Sequence, residues 1–446
     1  MTIDLLPEKI LLEIFDLYSI DDDAEREAWQ TLVHVCQKWR NVVFGSPHRL
    51  NLRLLCTGDK PVRKMLDIWP PLPIIIRSRT TGVGGDNVVA ALTHNVRVCE
   101  ISLHSKPGSL WEKIMAAMQE PFPALTHLDI HTNDEKGIVS NSFLGGSAPN
   151  LRYFELSGVP LPGLLKLLSS ATLLRTLHLW NIPRFGYISP ETMATALSVL
   201  TRLETVSLDF QTRSYLGRGY RHPPPPTRSV LPALTEFYFE GVSEYLEDLV
   251  AWIDAPLLDS FEVTFYPQLI FHTPRLAQFI GRTPNLMACN KAYVTFDPFR
   301  ASVSIAPLYL GILCVQTGRQ LSMLAQVCRS SLPHISSLEQ LYIHEEGYCR
   351  QPDDIENDQW LELLRPFTSV KALYLSQVIT PRIAPALQVL VGERVTEVLP
   401  ALQSLFLEDL HLSAQGAIDK FVAARQLSGH HHIAISECDG PQEIDH

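Results

Sequence analysis

What the chain lacks narrows its chemistry first. It has no C-x-x-C: its eight cysteines, at 36, 56, 99, 289, 314, 328, 349 and 438, are scattered, and the closest two stand 14 residues apart. That excludes a zinc knuckle and a thioredoxin-like redox pair. Asp4 stands where a secretory leader would carry a basic residue, so reduced thiols in the cytosol or nucleus are expected. Basic residues are also short. The 37 Lys and Arg against 48 Asp and Glu leave a net charge of −11, which argues against a nucleic-acid backbone as partner. The uncharged stretch 301–318 approaches the length of a membrane span. It is broken by Ser302, Ser304, Pro307 and Gln316, so it reads as a pair of buried strands in a soluble protein.

Catalytic motifs are missing too. "TGVGGDN" at 81–87 has glycines but not the Lys-Ser/Thr of a phosphate-binding loop. "HEEGY" at His344 lacks the second histidine of a zinc-protease helix, and "DDIENDQ" at 353–359 lacks the glycine of a calcium loop. No Ser/His/Asp or Cys/His set stands at an informative spacing. No catalytic residue and no cofactor are therefore assigned, and a non-enzymatic role is expected.

What is present is a folded composition, with 46% hydrophobic and 19% charged residues, and two recurring designs. The first is the opening "PEKILLEIFDLYSI", from Pro7, followed by "VHVCQKWRNVVF", from Val33. Pro7 suits the start of a helix. The helix carries two apolar stripes, Ile10–Ile14–Leu17 and Leu11–Phe15–Tyr18. After the acidic "IDDDAERE", a second helix carries Trp29, Leu32, Val33, Val35 and Cys36, and a third carries Trp39, Val42, Val43 and Phe44. So small a bundle buries a modest share of its surface, and part of this wide apolar face needs a cover. Two covers are open. A cap on the next domain would bury Ile10, Ile14 and Leu17 within the chain, whereas a docking module would leave one stripe exposed.

The residues Leu6-Pro7-Glu8, Ile10-Leu11 and Ile14-Phe15, then "VCQKWR" at 35–40 and "VVFGSPHRLNLRLLC", resemble an F-box in the form common in fungal F-box proteins. The resemblance covers about residues 4–55. It implies a three-helix module docking on the S-phase-kinase-associated adaptor of cullin–RING (SCF) ubiquitin ligases, and through it on the cullin. It further implies that Leu6, Pro7, Ile10, Leu11, Ile14 and Phe15 contact the adaptor, while Val35, Cys36 and Trp39 hold or extend that surface. The acidic connector "SIDDDAEREAW" is longer than the family's usual spacing.

The second design is a repeat, L-x-x-L-x-L with apolar substitutions, starting at 98, 125, 151, 174, 203, 234, 258, 338, 370 and 402. Proline stands two residues ahead in "PAL" (123, 232, 400) and "PNL" (149, 284), where it ends a helix and begins an extended segment. Helical stretches such as "LPGLLKLLSS", "SPETMATALSVL" and "VSEYLEDLVAWI" fall between. "PIIIR" from Pro73 with "GDNVVAALTH" supplies a first, irregular unit, "AYVTFDPFRASVSI" reads as a hairpin-like insertion, and "GHHH" at 429–432 leads into a last strand "IAIS". One strand and one helix per repeat resembles the leucine-rich-repeat family. That implies an α/β fold, a three-helix F-box followed by an irregular solenoid with a curved parallel sheet and outer helices. The expected domains are 1–55 (F-box), 56–97 (linker and irregular first repeat), 98–436 (solenoid) and 437–446 (acidic tail). The family's asparagine, eight residues into each unit, survives only at Asn133.

Along a strand side chains alternate, so the third, fifth and seventh positions of each unit face away from the core. Eight of these thirty positions are acidic, Glu100, Asp129, Glu155, Asp209, Glu236, Glu240, Glu262 and Glu408, and five are histidine, His104, His127, His131, His178 and His344. From position 98 onward none of these positions is Lys or Arg. The fifth position turns aromatic late, at Tyr238, Tyr342, Tyr374 and Phe406. Rigid exposed aromatics anchor partners at little entropic cost. The expected substrate-binding face is thus Asp129, Glu155, Trp180, Asp209, Tyr238, Glu240, Glu262, Tyr342, Tyr374 and Phe406, receiving a protein segment that carries Lys or Arg. "HLDIH" also puts His127, Asp129 and His131 on one face, a donor set of the kind that binds zinc, although solvated face residues are the plainer account. The reading is a substrate receptor of an SCF-type ligase. The alternative is a repeat scaffold independent of any ligase, with the first helices as its cap.

Overall fold

The computed structural model describes residues 6–18, 28–80, 84–105, 108–132, 140–211, 227–287, 289–314, 317–346, 356–408, 412–429 and 432–437. Asn133 and residues 438–446 of the acidic tail lie outside the described residues. The chain divides into two compact units, residues 1–187 and 188–446.

The first unit opens with three helices, α1 (Glu8–Tyr18), α2 (Ala28–Val35) and α3 (Gln37–Gly45). Pro7 sits just before α1 and its carbonyl accepts from the Ile10 and Leu11 amides at 3.0 and 3.1 Å, which starts the helix. Leu11 and Phe15 are fully buried, and Phe15 meets the Trp39 ring edge-on at 4.8 Å. Cys36 caps α3 by accepting from the Trp39 amide.

Strand–helix units follow: β1 (Leu54–Thr57), α4 (Val62–Ile68), β2 (Ile74–Thr80), α5 (Gly85–Leu92), β3 (Val98–Ser105), α6 (Ser109–Ala117), β4 (His127–Thr132), β5 (Tyr153–Ser157), α7 (Leu164–Ser170) and β6 (Thr176–Ile182). The six strands pair in chain order and all in parallel. The β1–α4 unit is one that the repeat pattern did not single out. On the other face of the three helices, Trp29 packs on Trp69 at 5.1 Å and its indole nitrogen donates to the Arg53 carbonyl at 3.1 Å.

The second unit holds α8 (Pro190–Ser198), β7 (Thr205–Phe210), β8 (Ser229–Val230), β9 (Glu236–Gly241), α9 (Ser243–Trp252), β10 (Ile253–Asp254), β11 (Ser260–Phe265) and α10 (Pro274–Arg282). It continues with β12 (Lys291–Phe296), β13 (Arg300–Ile305), β14 (Leu308–Leu313), α11 (Thr317–Ser331), β15 (Gln340–Glu345), α12 (Asn357–Leu364), β16 (Ala372–Leu375), α13 (Thr380–Gln388), β17 (Ser404–Leu407), α14 (Leu412–Leu427) and β18 (Ala434–Glu437). Its main sheet runs β7-β9-β11-β14-β13-β12-β15-β16-β17-β18, and β8 pairs with β10 apart from it. Helices α8 to α14 lie side by side in chain order. Glu247 of α9 ties two of them together: buried, it accepts from the Arg275 and Leu276 amides at 3.1 and 2.7 Å and so caps α10.

Local chemistry explains each unit. In "LTHLDI" the first leucine is not yet strand. Leu125 closes a turn on the Phe122 carbonyl, and the ladder starts at Thr126, whose amide reaches Cys99 O at 2.9 Å. Leu125, Leu128 and Ile130 are then fully buried, as the pattern requires. The stretch 301–318 contains the strand pair β13–β14, antiparallel, and β12–β13 is antiparallel as well, so the insertion is a three-stranded meander. Among the described residues no helix is long and apolar enough to cross a membrane.

The burial of α1 is directly checkable. Phe15→Ala removes a fully buried ring and should cost about 3 kcal/mol or more, whereas Ile14→Ala, at a half-exposed position, should stay within about 0.5 kcal/mol. Amide hydrogen exchange across residues 28–45 reports both.

Candidate functional site

Helix α1 presents one stripe outward. Ile10 is 40% exposed, Ile14 42% and Leu17 71%, and Val35 at the end of α2 is 53% exposed. The companion residues Leu11 and Phe15 face inward, so of the six residues that the F-box resemblance puts against an adaptor, these two hold the bundle together instead. Leu6 and Trp39 are partly covered, Cys36 likewise, and Pro7 is exposed. Lys38 fixes the entry to the helix by donating to the Leu6 carbonyl at 2.8 Å.

The open face of the first unit is built in rows, because the strands pair one to one. Arg77, Ser102, Asp129 and Glu155 align across β2 to β5, and Arg79, His104 and His131 align in the next row. Arg77 and Arg79 put two cations on a face that the repeats from 98 onward leave without any. The signal was there in "IIIRSRT", whose period of two continues the strand. These residues, with Glu100 and the Asp129–His104 pair, line a cleft of about 690 Å³.

At the centre of the rows His131 Nε2 lies 2.9 Å from Asp129 Oδ1 and 3.0 Å from Glu155 Oε1, and His104 Nε2 lies 3.3 Å from Asp129 Oδ2. The two imidazoles stack at 4.5 Å with planes 7° apart, close to the spacing of neighbouring strands. Ser102 donates to Asp129 Oδ2 at 2.8 Å, and the Tyr153 hydroxyl donates to Glu155 Oε2. Contact with the two carboxylates raises the His131 pKa to about 9, against the cost of its burial. Burial opposes the charge on Asp129 and Glu155, but the close His131 imidazole and the hydrogen bonds from Ser102 and Tyr153 prevail and hold both pKa values below the ordinary range. These carboxylates are thus already engaged within the chain. The residues that could hold a metal are His104, Asp129 and His131, whose donor atoms lie within 4.8 Å of one another. His127 is not among them. It stacks on Tyr153 at 4.2 Å one row away, and burial lowers its pKa, which corrects the His127–Asp129–His131 grouping read from the strand.

In the second unit one row runs Tyr238, Glu262, Tyr309, Ser304, Tyr293, Tyr342, Tyr374 and Phe406. Tyr293, Tyr342, Tyr374 and Phe406 form a ladder of stacked rings with centroids 4.6, 4.1 and 4.3 Å apart. Tyr293 and Tyr309 were missed because they come from the meander, although "KAYVTF" alternates like any other strand. Tyr238 donates to Glu240 at 2.8 Å, and its hydroxyl pKa is pushed up by burial and by that bond. Glu262 is exposed, while Trp180 and Asp209 are partly covered on their own strands. Trp180 stacks on His178 at 5.6 Å.

No protein-family model matches the chain, and no curated protein matches it. Among solved structures it is similar to the leucine-rich repeat-containing protein LegL7 from Legionella pneumophila. That similarity is 14% identity over 78% of this chain and 96% of the other, with a TM-score of 0.28.

The His131 contacts carry a pH signature. A pKa raised on folding stabilises fully below the unfolded value, about 6.5, and the gain is lost as pH rises through the folded value. The stability difference between wild type and His131→Gln should therefore hold level from the pH at which both carboxylates are ionised up to about pH 6 and shrink toward pH 9. Urea unfolding in chelator-containing buffers across that range measures it.

Proposed function

We propose that the chain is a non-catalytic substrate receptor of an SCF-type ubiquitin ligase, acting in the cytosol or nucleus. The three N-terminal helices dock on the adaptor through Ile10, Ile14, Leu17 and Val35, and the repeated sheet captures a protein partner. The observation that carries this reading is the division of α1 into a buried stripe and an open one. A cap would leave no such stripe outside. The receptor's contribution is proximity: it raises the effective concentration of the partner near the ligase-bound ubiquitin-conjugating enzyme, and supplies no acid, base or nucleophile.

On the partner side the second unit offers the better platform. Its stacked rings stand on a rigid sheet, and further along the same row Glu262 lies between Tyr238 and Tyr309, with Glu240 bonded to Tyr238. That combination suits a segment carrying Lys or Arg, whose cation gains from both carboxylate and ring.

One observation favours the second reading, a scaffold with no ligase. Trp29, His34 and Phe44 all meet Trp69, at 5.1, 5.9 and 6.3 Å, so the helices do seal the first strand–helix unit. Co-expression with the adaptor separates the two. A complex that co-elutes on gel filtration and is lost in Ile10→Asp/Ile14→Asp, with the circular dichroism unchanged, supports the receptor. Soluble wild type that never co-elutes transfers the lead to the scaffold.

The partner face has its own test. Binding to an array of Lys/Arg-containing peptides should fall about tenfold or more in Glu262→Lys and in Tyr374→Ala. Unchanged binding in both variants would remove this row from the interface.

A further inference from the structure

The cluster on β3, β4 and β5 has a use that partner capture does not require. We propose that His104, Asp129 and His131 bind a zinc ion, with Glu155 as the fourth donor. This site is independent of the receptor reading and sits in the first unit alone.

The donor set comes first. Two imidazole nitrogens with carboxylate oxygens suit Zn²⁺, whereas magnesium and calcium sites are built from oxygen. A tetrahedral ion with bonds of 2.0–2.1 Å sets its donors roughly 3.4 Å apart. Here the pairs stand at 2.9, 3.0 and 3.3 Å, and the donor atoms of His104, Asp129 and His131 all lie within 4.8 Å of one another. The contacted pairs are near that spacing, and the wider separations, up to 4.8 Å within the triad, close by side-chain rotation as the ion enters. Three in-register strands hold the donors on one face before any ion arrives.

The second argument is an imbalance. His131 Nε2 carries one hydrogen and faces two carboxylate oxygens, and Asp129 Oδ1, although buried, receives no well-aligned hydrogen bond. A single N–H cannot point at both oxygens. A dication at the same point bonds both and takes His104 as well. In that exchange the Zn–N bond replaces the N–H bond of His131, and the proton leaves to buffer.

The surroundings are those of a metal site. Ser102 holds Asp129 and Tyr153 holds Glu155, each through the carboxylate oxygen turned away from His131, which orients the ligands. His104 and Asp129 line the cleft of about 690 Å³, so the ion has a route in.

The test uses the full chain with His430, His431 and His432 changed to Ser, because "GHHH" chelates metal by itself. The protein is stripped with chelator and loaded with Zn²⁺ in the presence of a weak competing chelator. It is then passed through gel filtration for metal analysis, and a parallel sample takes Co²⁺ for visible absorption. The expected result is one ion per chain, the intense visible bands of a four-coordinate cobalt site, and loss of both in His104→Gln and His131→Gln. His104 lies at the rim of the cluster, so His104→Gln should keep its fold by circular dichroism even where His131→Gln does not. Glu155→Gln should weaken uptake by about tenfold or more. A folded parent that retains well below one ion per chain overturns the proposal, and so does full uptake in folded His104→Gln.

Discussion

The structure depends on one constraint: neighbouring strands pair in register, residue to residue, with side chains alternating at a period of two. A slip of a single residue would turn every buried leucine to solvent, so each unit is locked to the last by its own core. Leu128, Phe154 and Leu177 follow one another beneath the sheet of the first unit, each fully buried. On the other face the same lock assembles rows from residues that are about one repeat apart in the chain. No loop has to be ordered to build these rows; the core's free energy has already fixed them.

What the rows become depends on what each strand offers. In the first unit neighbouring strands supply cations, carboxylates and imidazoles, and strand spacing brings opposite charges into contact. In the second unit the same spacing stacks rings, since about 4.8 Å between strands is close to the offset-stacking distance of aromatic groups. The meander preserves this. Strand β14 continues β11 in parallel, β13 reverses, β12 reverses again, and β15 resumes in parallel. Two reversals restore the direction, which a two-stranded hairpin would not do, and Tyr293 arrives in line with Tyr342.

Much of this was legible in the chain. Every L-x-x-L-x-L start leads into an observed strand, because an apolar residue at every second position has one use beside a helix. Proline stands in the first turn of α8, α10 and α13, but Pro385 lies inside α13 and does not end it. The meander was half legible: the alternation in 292–305 and the uncharged run 301–318 each gave one antiparallel pair, and the two share β13. Pairwise geometry was the part that stayed hidden. That Asp129 is engaged by His131, and that His104 rather than His127 joins it, follows from which strand lies beside which and in what register. Neither can be read along one strand.

The N-terminal helices pose the same question at smaller scale, since scattered exposed apolar residues are normal on any protein and carry no meaning singly. The stripe on α1 differs in being contiguous. Ile10, Ile14 and Leu17 are spaced three and four apart on one helix face, with Val35 also exposed. The bundle does not need that face for its own stability, because Leu11 and Phe15 already fill the interior against Trp39. Nor does the seal against the first repeat need it, because Trp29 and Phe44 make that contact from α2 and α3. With both internal demands met by other residues, the exposed part of the aliphatic side chains of α1 retains a hydrophobic cost in water of about 25 cal/mol per Å² that no described residue of the first unit relieves. Sealing and the docking proposed for this bundle therefore fall on different residues, and the wide apolar face divides into one stripe buried within the chain and one left open.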